Sequence, residues 1–293
     1  MDWTVWILLS ATFLAFYDLA KKASVRDNAV LPVLLCSTVF GCAAFAASLA
    51  ATHSFAAAVG QIDGRVLALG AAKSVIVATS WIFTFTALRT LPITIATPIR
   101  ASAPALVILA AFVLYGEVPS LVQGVGMAAV LGGYWAFSWA GKAEGIDFFR
   151  NRAVWCAIAG ACLSAVSALW DKYVFQVAQS PVAGTQLVFQ VGLILVYAIC
   201  LAVSRVCSHR KPFAFQWRWT IPLVGMLLAL ADWLYFTGVA IPDTPISVAS
   251  LLRRFSVAIT FALGAIFFRE RNLRRKTLAL AAILLGIALL CIR

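Results

Sequence analysis

The chain has 293 residues, of which 63% are hydrophobic and 12% charged, and its mean hydropathy is +0.97. A soluble protein of this length needs far more polar side chains to cover its surface, so the composition excludes a soluble domain and predicts an all-α, multi-pass membrane protein. The formal net charge is +12, but the basic residues lie in short connections between apolar segments, where they set membrane topology, so we expect no nucleic-acid partner.

Ten apolar segments are long enough to cross about 30 Å of hydrocarbon at about 1.5 Å per helical residue. They run at 3–20, 30–52, 66–88, 93–115, 120–140, 153–175, 182–204, 219–240, 246–268 and 277–292. Several connections are very short, so successive helices are expected to be antiparallel neighbours. Lys21 and Lys22 follow the first segment and no cleavage site closes it, so it is predicted to be a retained helix rather than a signal peptide.

The second half of the chain repeats the first at an offset of 153 residues. The matched polar positions are Asp18 with Asp171, Thr94 with Ser247, Thr97 with Ser250, Arg100 with Arg253 and Glu117 with Glu270. Five helices are an odd number, so the second repeat must be inverted relative to the first. We therefore predict two five-helix repeats, 1–141 and 153–293, joined by a central loop at 142–152. Inverted repeats of this kind place a substrate site near the midplane between them.

Each repeat carries a hydroxyl, hydroxyl, arginine series at i, i+3 and i+6, which forms one polar stripe on a helix. An arginine at this depth costs roughly 2.5 kcal/mol or more in lipid, so its side chain is expected to face protein, water or a ligand. Guanidinium groups match carboxylate or phosphate oxygens and stay charged when desolvated. The candidate substrate-binding residues are therefore Arg100, Arg253, Arg254, Thr97 and Ser250. In the alternative interpretation, the arginines pair with internal carboxylates and hold the bundle together.

Asp232 and Asp18 are the candidate partners for these arginines inside the segments. Three arginines and Lys73 exceed two carboxylates by two charges, and this excess favours an anionic ligand. Asp232 has two candidate roles, as a proton carrier that drives transport or as the counterion of an arginine, and Lys73 belongs to the same set.

Other polar and aromatic positions are candidates for gating or for closing the cavity. Asp18 and Asp171, beside Lys21 and Lys172 near helix ends, are predicted to form interfacial ion pairs, with gating as the alternative. Pro98 frees backbone carbonyls, which a membrane tolerates only where they face protein or a cavity. Glu117 and Glu270 are expected to hold the loops that follow them. The aromatic candidates for substrate contact are Trp81, Trp233 and Tyr235, with packing against lipid as the alternative.

The distribution of basic residues predicts the orientation of the chain. The connections after odd-numbered segments hold sixteen lysines and arginines, whereas the opposite side holds three, namely Arg65, Lys172 and Arg293. Because cytoplasmic loops are enriched in lysine and arginine, both termini are expected outside the cytoplasm.

The ten segments and the Gly116–Glu117 pair that closes the fourth resemble the EamA branch of the drug/metabolite transporter superfamily. The stretches YDLAKKASVRDNAVLPVL, PIRAS and LLRRFS resemble an uncharacterised bacterial subgroup. This resemblance implies a transporter fold over the whole chain. Such proteins usually have cytoplasmic termini, unlike the prediction from charge, and this chain has Arg269 where the second repeat would carry the family's glycine. Sugar-phosphate translocators of the superfamily hold phosphate with a basic pair on the ninth helix, which Arg253 and Arg254 resemble.

Together these features predict a secondary transporter of the bacterial inner membrane that moves a small anionic metabolite, carboxylated or phosphorylated, by alternating access. Protons are a candidate coupling ion. Seven cysteines without a CxxC spacing and two loop histidines suggest neither a metal nor another cofactor, and the chain has no phosphate-binding glycine loop for ATP. Two alternatives remain: an exporter of amino acids or other neutral metabolites with structural arginines, or an intramembrane enzyme acting on a lipid-linked phosphate.

Overall fold

The computed structural model describes residues 2–25, 28–90, 103–118, 120–139, 152–207 and 214–256, with a few positions between 259 and 289. These ranges are helical and contain no strand, so the prediction of an all-α protein is confirmed for the described part of the chain. The helices are α1 (Trp3–Val25), α2 (Val30–Ala51), α3 (Phe55–Gly60), α4 (Gly64–Thr90), α5 (Ala103–Tyr115), α6 (Leu121–Trp139), α7 (Arg152–Lys172), α8 (Val182–Cys207), α9 (Thr220–Ala240) and α10 (Ile246–Leu252). A π-helical turn, Tyr173–Val177, continues α7.

Within the described ranges, six helices are long and apolar enough to cross a membrane. These are α1, α2, α4, α7 with its π-helical turn, α8 and α9. Shorter apolar stretches, Leu106–Tyr115 and Leu121–Gly133, lie in α5 and α6. The prediction of a multi-pass membrane protein is confirmed. Four predicted segments, 93–115, 120–140, 246–268 and 277–292, fall partly outside the described residues, so the count of ten stays a prediction.

The ninth predicted segment is not a continuous helix in its described part. Helix α10 ends at Leu252, Arg253 and Arg254 form a turn, and helical residues resume at Phe255. The Arg254 N–H donates to the Leu251 carbonyl at 2.9 Å and the Ser256 N–H to the Arg253 carbonyl at 3.4 Å. Both bonds reach back three residues instead of four, so the backbone is wound more tightly at the arginines than in an α-helix. The prediction of an uninterrupted helix was wrong here.

The most extensive helix packing in the described bundle joins its two halves. Helix α1 packs along α9, and α4 packs along α7. The largest side chains buried completely in this core include Ile7, Tyr197, Tyr235 and Phe236. Because α9 also packs against α2 and α8, about half of its residues are buried, and Asp232 is one of them.

Two glycines allow α2 and α9 to cross in backbone contact. A Cβ atom added to Gly225 would lie 1.7 Å from the Ser37 carbonyl oxygen, and one added to Gly41 would lie 2.6 Å from the Gly225 carbonyl oxygen. Because both obstacles are backbone atoms, no side-chain adjustment can relieve the overlap. Small residues at such crossings let membrane helices approach closely.

We therefore expect Gly225→Ala to destabilise the protein in detergent by about 2 kcal/mol or more, the scale of an overpacked core. Gly132→Ala is the matched control, since a Cβ atom there meets nothing within 4 Å and alanine favours the helix by roughly 0.5–1 kcal/mol. Thermal unfolding followed by circular dichroism measures both effects. Equal melting temperatures for the two variants would contradict the backbone contact.

Candidate functional site

Two buried ion pairs lie close together around Tyr235. In the first, the ammonium of Lys73 on α4 binds a carboxylate oxygen of Asp171 on α7. Both side chains are only 3% exposed. The Lys73 ammonium also lies 4.9 Å and 4.7 Å from the ring centres of Phe189 and Phe236. Aromatic faces stabilise a desolvated cation, so this pair is sealed inside the bundle.

The second pair joins Arg253, at the end of α10, to Asp232 on α9. Arg253 Nη2 lies 2.5 Å from Asp232 Oδ1, and the guanidinium centre lies 4.1 Å from the centre of the Tyr235 ring. Asp232 and Tyr235 are three residues apart on α9, which places them on the same face of the helix. The side chains of Arg253 and Asp232 are 23% and 12% exposed, so this pair is more accessible than the first.

Arg254 lies beside a different feature, a small polar cavity. The lining residues are Lys21, Ser80, Trp81, Thr84, Ala103, Gly160, Ala161, Ser164 and Arg254. The Lys21 ammonium lies 5.5 Å from the Trp81 ring centre and 5.2 Å from that of Tyr17. The cavity volume is about 60 Å³, which accommodates a few water molecules or one charged group. Two cations and three hydroxyl-bearing residues thus meet at one cavity.

The two consecutive arginines therefore have different surroundings. Arg253 is compensated by a carboxylate of α9, as the structural interpretation of the arginines predicts, whereas Arg254 lines a cavity with another cation, as the ligand-binding interpretation predicts. Both guanidinium groups are close enough to Tyr235 for their charges to act on its phenol group.

The Glu117 clamp, formed by Glu117, Lys172, Ile246 and Ser247, fixes the start of α10. The Glu117 carboxylate accepts hydrogen bonds from the Ile246 N–H at 2.8 Å, the Ser247 N–H at 3.1 Å and the Ser247 hydroxyl at 2.5 Å. Lys172 Nζ binds the same carboxylate at 2.5 Å. Because the first N–H groups of a helix lack partners within it, a carboxylate here both caps and orients α10.

The clamp corrects two sequence predictions. Glu117 was expected to hold its own following loop, but it binds α10 instead. Asp171 was expected to form an interfacial ion pair beside Lys172, but Asp171 binds Lys73 in the interior and Lys172 binds Glu117. Successive residues of a helix point in different directions, about 100° apart, so Asp171 and Lys172 reach different partners.

The environment of Glu117 lowers the pKa of its carboxyl group below the ordinary value. Burial acts to raise this pKa, but the hydrogen bonds from Lys172, from the Ser247 hydroxyl and from the two backbone N–H groups outweigh burial. Each of these donors favours the ionised form. The clamp is therefore formed by the charged carboxylate.

The structure brings together five of the predicted site residues: Lys73, Asp171, Asp232, Tyr235 and Arg253. Arg254 and Trp81 meet at the neighbouring cavity. The remaining described candidates lie elsewhere. The Ser250 hydroxyl donates to the Ser247 carbonyl within α10, Trp233 packs on Phe45 with ring centres 5.3 Å apart, and Asp18 is partly exposed on α1. Thr97, Pro98 and Arg100 lie outside the described residues.

Sequence reasoning missed Lys21, Ser80, Thr84 and Ser164 as cavity residues. One signal was available for two of them, because Ser80 and Thr84 are four residues apart beside Trp81 and so share a face of α4. Lys21 likewise follows Tyr17 by four residues on α1. Ser164 gave no signal, since a single serine in an apolar segment usually bonds to its own helix.

Comparisons with known proteins bear on the fold and the family. The sequence model of the EamA-like transporter family matches residues 1–139. A solved crystal structure with 18% sequence identity aligns with 98% of this chain and 94% of its own chain at a TM-score of 0.75. That likeness supports the overall fold alone. No curated protein matches the chain.

We expect Glu117→Gln to lower the free energy of unfolding at pH 7 by roughly 1.5–3 kcal/mol, the scale of hydrogen bonds to a charged group. The pKa of Glu117 is lowered by folding, so its stabilisation is present above the unfolded-state pKa and is lost as the pH falls through the folded-state pKa. The gap between wild type and Glu117→Gln should therefore close on acidification. Thermal unfolding in detergent over a pH series measures it.

Asp63→Asn is the matched control for this prediction. Asp63 is exposed, and its carboxylate accepts one hydrogen bond from the Val66 N–H at the start of α4, at 2.7 Å. Asparagine caps a helix about as well as aspartate, so little change is expected. If Glu117→Gln unfolds no more readily than Asp63→Asn, the clamp does not stabilise α10.

Proposed function

We propose that the chain, of which residues 1–139 match the EamA-like transporter family, is a secondary-active transporter that moves a small anionic metabolite across the bacterial inner membrane by alternating access. The observation that carries the substrate class is the cavity lined by Lys21 and Arg254. Two cationic side chains at one cavity offer several hydrogen-bond donors to the same anionic group.

The chemistry of the cavity favours a carboxylate or a phosphate group. The Arg254 guanidinium offers a planar fork of donors that matches two oxygens, and Lys21 adds a point charge. Hydroxyl groups of Ser80, Thr84 and Ser164 supply further polar lining. A cavity of about 60 Å³ has room for the charged group of a metabolite, so the rest of the substrate must extend beyond it.

Two observations support alternating access between inverted repeats. The offset of 153 residues relates α1 to α7 and, with a one-residue difference, α4 to α9, so it exchanges the two most extensive helix pairs, α1 with α9 and α4 with α7. The interruption of α10 at the arginines is the second, because transporters of this kind bind substrate at discontinuous helices. Both agree with ten helices arranged as two five-helix repeats.

One observation favours a second candidate, an exporter of amino acids or other neutral metabolites. The guanidinium of Arg253 is bound to Asp232 and stacked on Tyr235, as a structural arginine would be. In that case the arginines hold α9 and α10 together and the substrate carries no net charge.

Ligand-induced stabilisation distinguishes the two candidates. We expect phosphorylated or carboxylated metabolites to raise the melting temperature of the purified protein through mass action. Arg254→Gln should weaken that binding at least about tenfold, because it removes a charge-assisted bond worth roughly 1.5–3 kcal/mol. Arg218→Gln is the matched control, since Arg218 is a partly exposed arginine that is bonded to the Ala23 carbonyl and does not line the cavity.

The anion proposal fails if Arg254→Gln retains the full ligand-induced shift, or if zwitterionic amino acids stabilise the wild type while no anion does. The second result would establish the neutral-metabolite alternative. Uptake of the same panel of metabolites into proteoliposomes then shows whether the ligand that stabilises the protein is also transported.

The proposed orientation places both termini outside the cytoplasm, on the basis of sixteen basic residues in one set of connections against three in the other. Alkaline phosphatase, which is active only outside the cytoplasm, is therefore expected to be active when fused after Arg293. The same enzyme inserted after Lys211 should be inactive. The reverse pattern would overturn the orientation.

A further inference from the structure

We propose that the transported anion replaces Asp232 as the partner of Arg253, and that Asp232 binds a proton as it is released, so that one proton accompanies each anion. This inference rests on the proposed function and adds its coupling ion. It assigns Asp232 as the proton-binding site and Arg253, with the neighbouring Arg254, as the anion-binding site.

The difference in accessibility between the two ion pairs is the first step. The side chains of Lys73 and Asp171 are each 3% exposed, and the Lys73 ammonium lies against the rings of Phe189 and Phe236. Neither partner of this pair is therefore accessible to a ligand. Arg253 and Asp232 are several times more exposed. Arg253 is also adjacent in sequence to Arg254, which lines the cavity, so an anion held by Arg254 is next to the more accessible of these two pairs.

The second step is the incomplete use of the Arg253 guanidinium. Asp232 takes a hydrogen bond from Nη2, whereas the buried Nε has no hydrogen-bond partner among the described residues. A carboxylate or phosphate that binds two nitrogens of the fork satisfies donors that Asp232 leaves unused. Tyr235 holds the guanidinium by its ring face, so Arg253 can exchange one acid for another without moving away.

The third step is charge balance. Arg253 at the end of α10 binds Asp232, and Tyr235 on α9 lies beside them. The charges of Asp171 on α7, which is paired with Lys73 on α4, and of Arg254 act on Tyr235 as well. Each of the two ion pairs is neutral by itself. An anion on Arg253 leaves the Asp232 carboxylate without its bound cation, and an unpaired buried carboxylate is costly in an apolar environment.

A proton on Asp232 restores neutrality. The proton comes from hydronium in the water on the side to which the site is open: an O–H bond of hydronium breaks, an O–H bond forms on Asp232, and a neutral carboxylic acid and a water molecule result. Since an unpaired buried carboxylate is unstable, proton and anion binding favour each other. Release of the anion lets Arg253 bind Asp232 again and expels the proton.

Calorimetry counts the protons directly. Sulfate and acetate are the probes, because they represent phosphate and carboxylate groups and stay ionised above pH 6.5. Titrations in buffers of different ionisation enthalpy should show one proton taken up per anion by the wild type. Accordingly, the dissociation constant should rise about tenfold for each pH unit. Asp232→Asn should still bind the anion, with no proton uptake and no dependence on pH.

A second measurement needs no ligand. Arg253→Gln leaves Asp232 without its cation, as the bound anion would, so this variant should be stabilised on acidification from pH 8 to pH 6 because Asp232 is then neutral. The double variant Arg253→Gln with Asp232→Asn should lack that stabilisation. Identical pH profiles for the single and double variants would overturn the assignment of Asp232, even if Asp232→Asn alone fails to fold.

The outcomes separate this inference from the function on which it rests. If sulfate or acetate binds without proton uptake, proton coupling is wrong and the anion transporter stands. If neither probe nor any metabolite anion binds, both are wrong. One proton per anion in the wild type, lost in Asp232→Asn, supports both together.

Discussion

Compensation of charge inside an apolar bundle is the constraint on which this structure depends. Each cation in the interior needs an opposite charge within contact distance, since an unpaired ion there costs several kcal/mol. Lys73 meets the constraint through Asp171, and Arg253 meets it through Asp232. Arg254 and Lys21 instead line a cavity. The two arginines that follow α10 therefore differ in their surroundings, since Arg253 is bound to a carboxylate of α9 and Arg254 lines the cavity.

Helix α10 connects these two arginines to the rest of the bundle. Its seven residues are held at the start by Glu117, in the connection between α5 and α6, and just past the end by Asp232 on α9. Its apolar side chains, Ile246, Leu251 and Leu252 among them, are buried against the neighbouring helices. Replacement of Asp232 by a substrate anion, as we propose, would release the attachment to α9 and leave the one to Glu117 intact. The proposed exchange would therefore act directly on this short element.

The sequence was sufficient for features that depend on composition and local spacing. Apolar segment lengths predicted the membrane class and the positions of α1, α2, α4 and α7–α9, because a helix that crosses a membrane must be apolar over its length. Partners across the bundle were harder to predict. Whether Lys73 meets Asp18 or Asp171, and whether Glu117 binds its own loop or α10, depends on how each helix is rotated and on which helices adjoin. Neither the rotation of a helix nor the identity of its neighbours can be inferred from local sequence patterns.

The identity of the buried carboxylates changes the argument about the ligand. Counting Asp18 and Asp232 against three arginines and Lys73 left an excess of two positive charges, and that excess was the reason for expecting an anion. The structure places Asp171 in the interior and leaves Asp18 partly exposed, so Lys73 and Arg253 are balanced by Asp171 and Asp232. The case for an anion therefore moves to the cavity at Arg254 and Lys21. An anion that reached Arg253 would leave the Asp232 carboxylate without its cation, and for this reason we propose that the displaced carboxylate binds a proton.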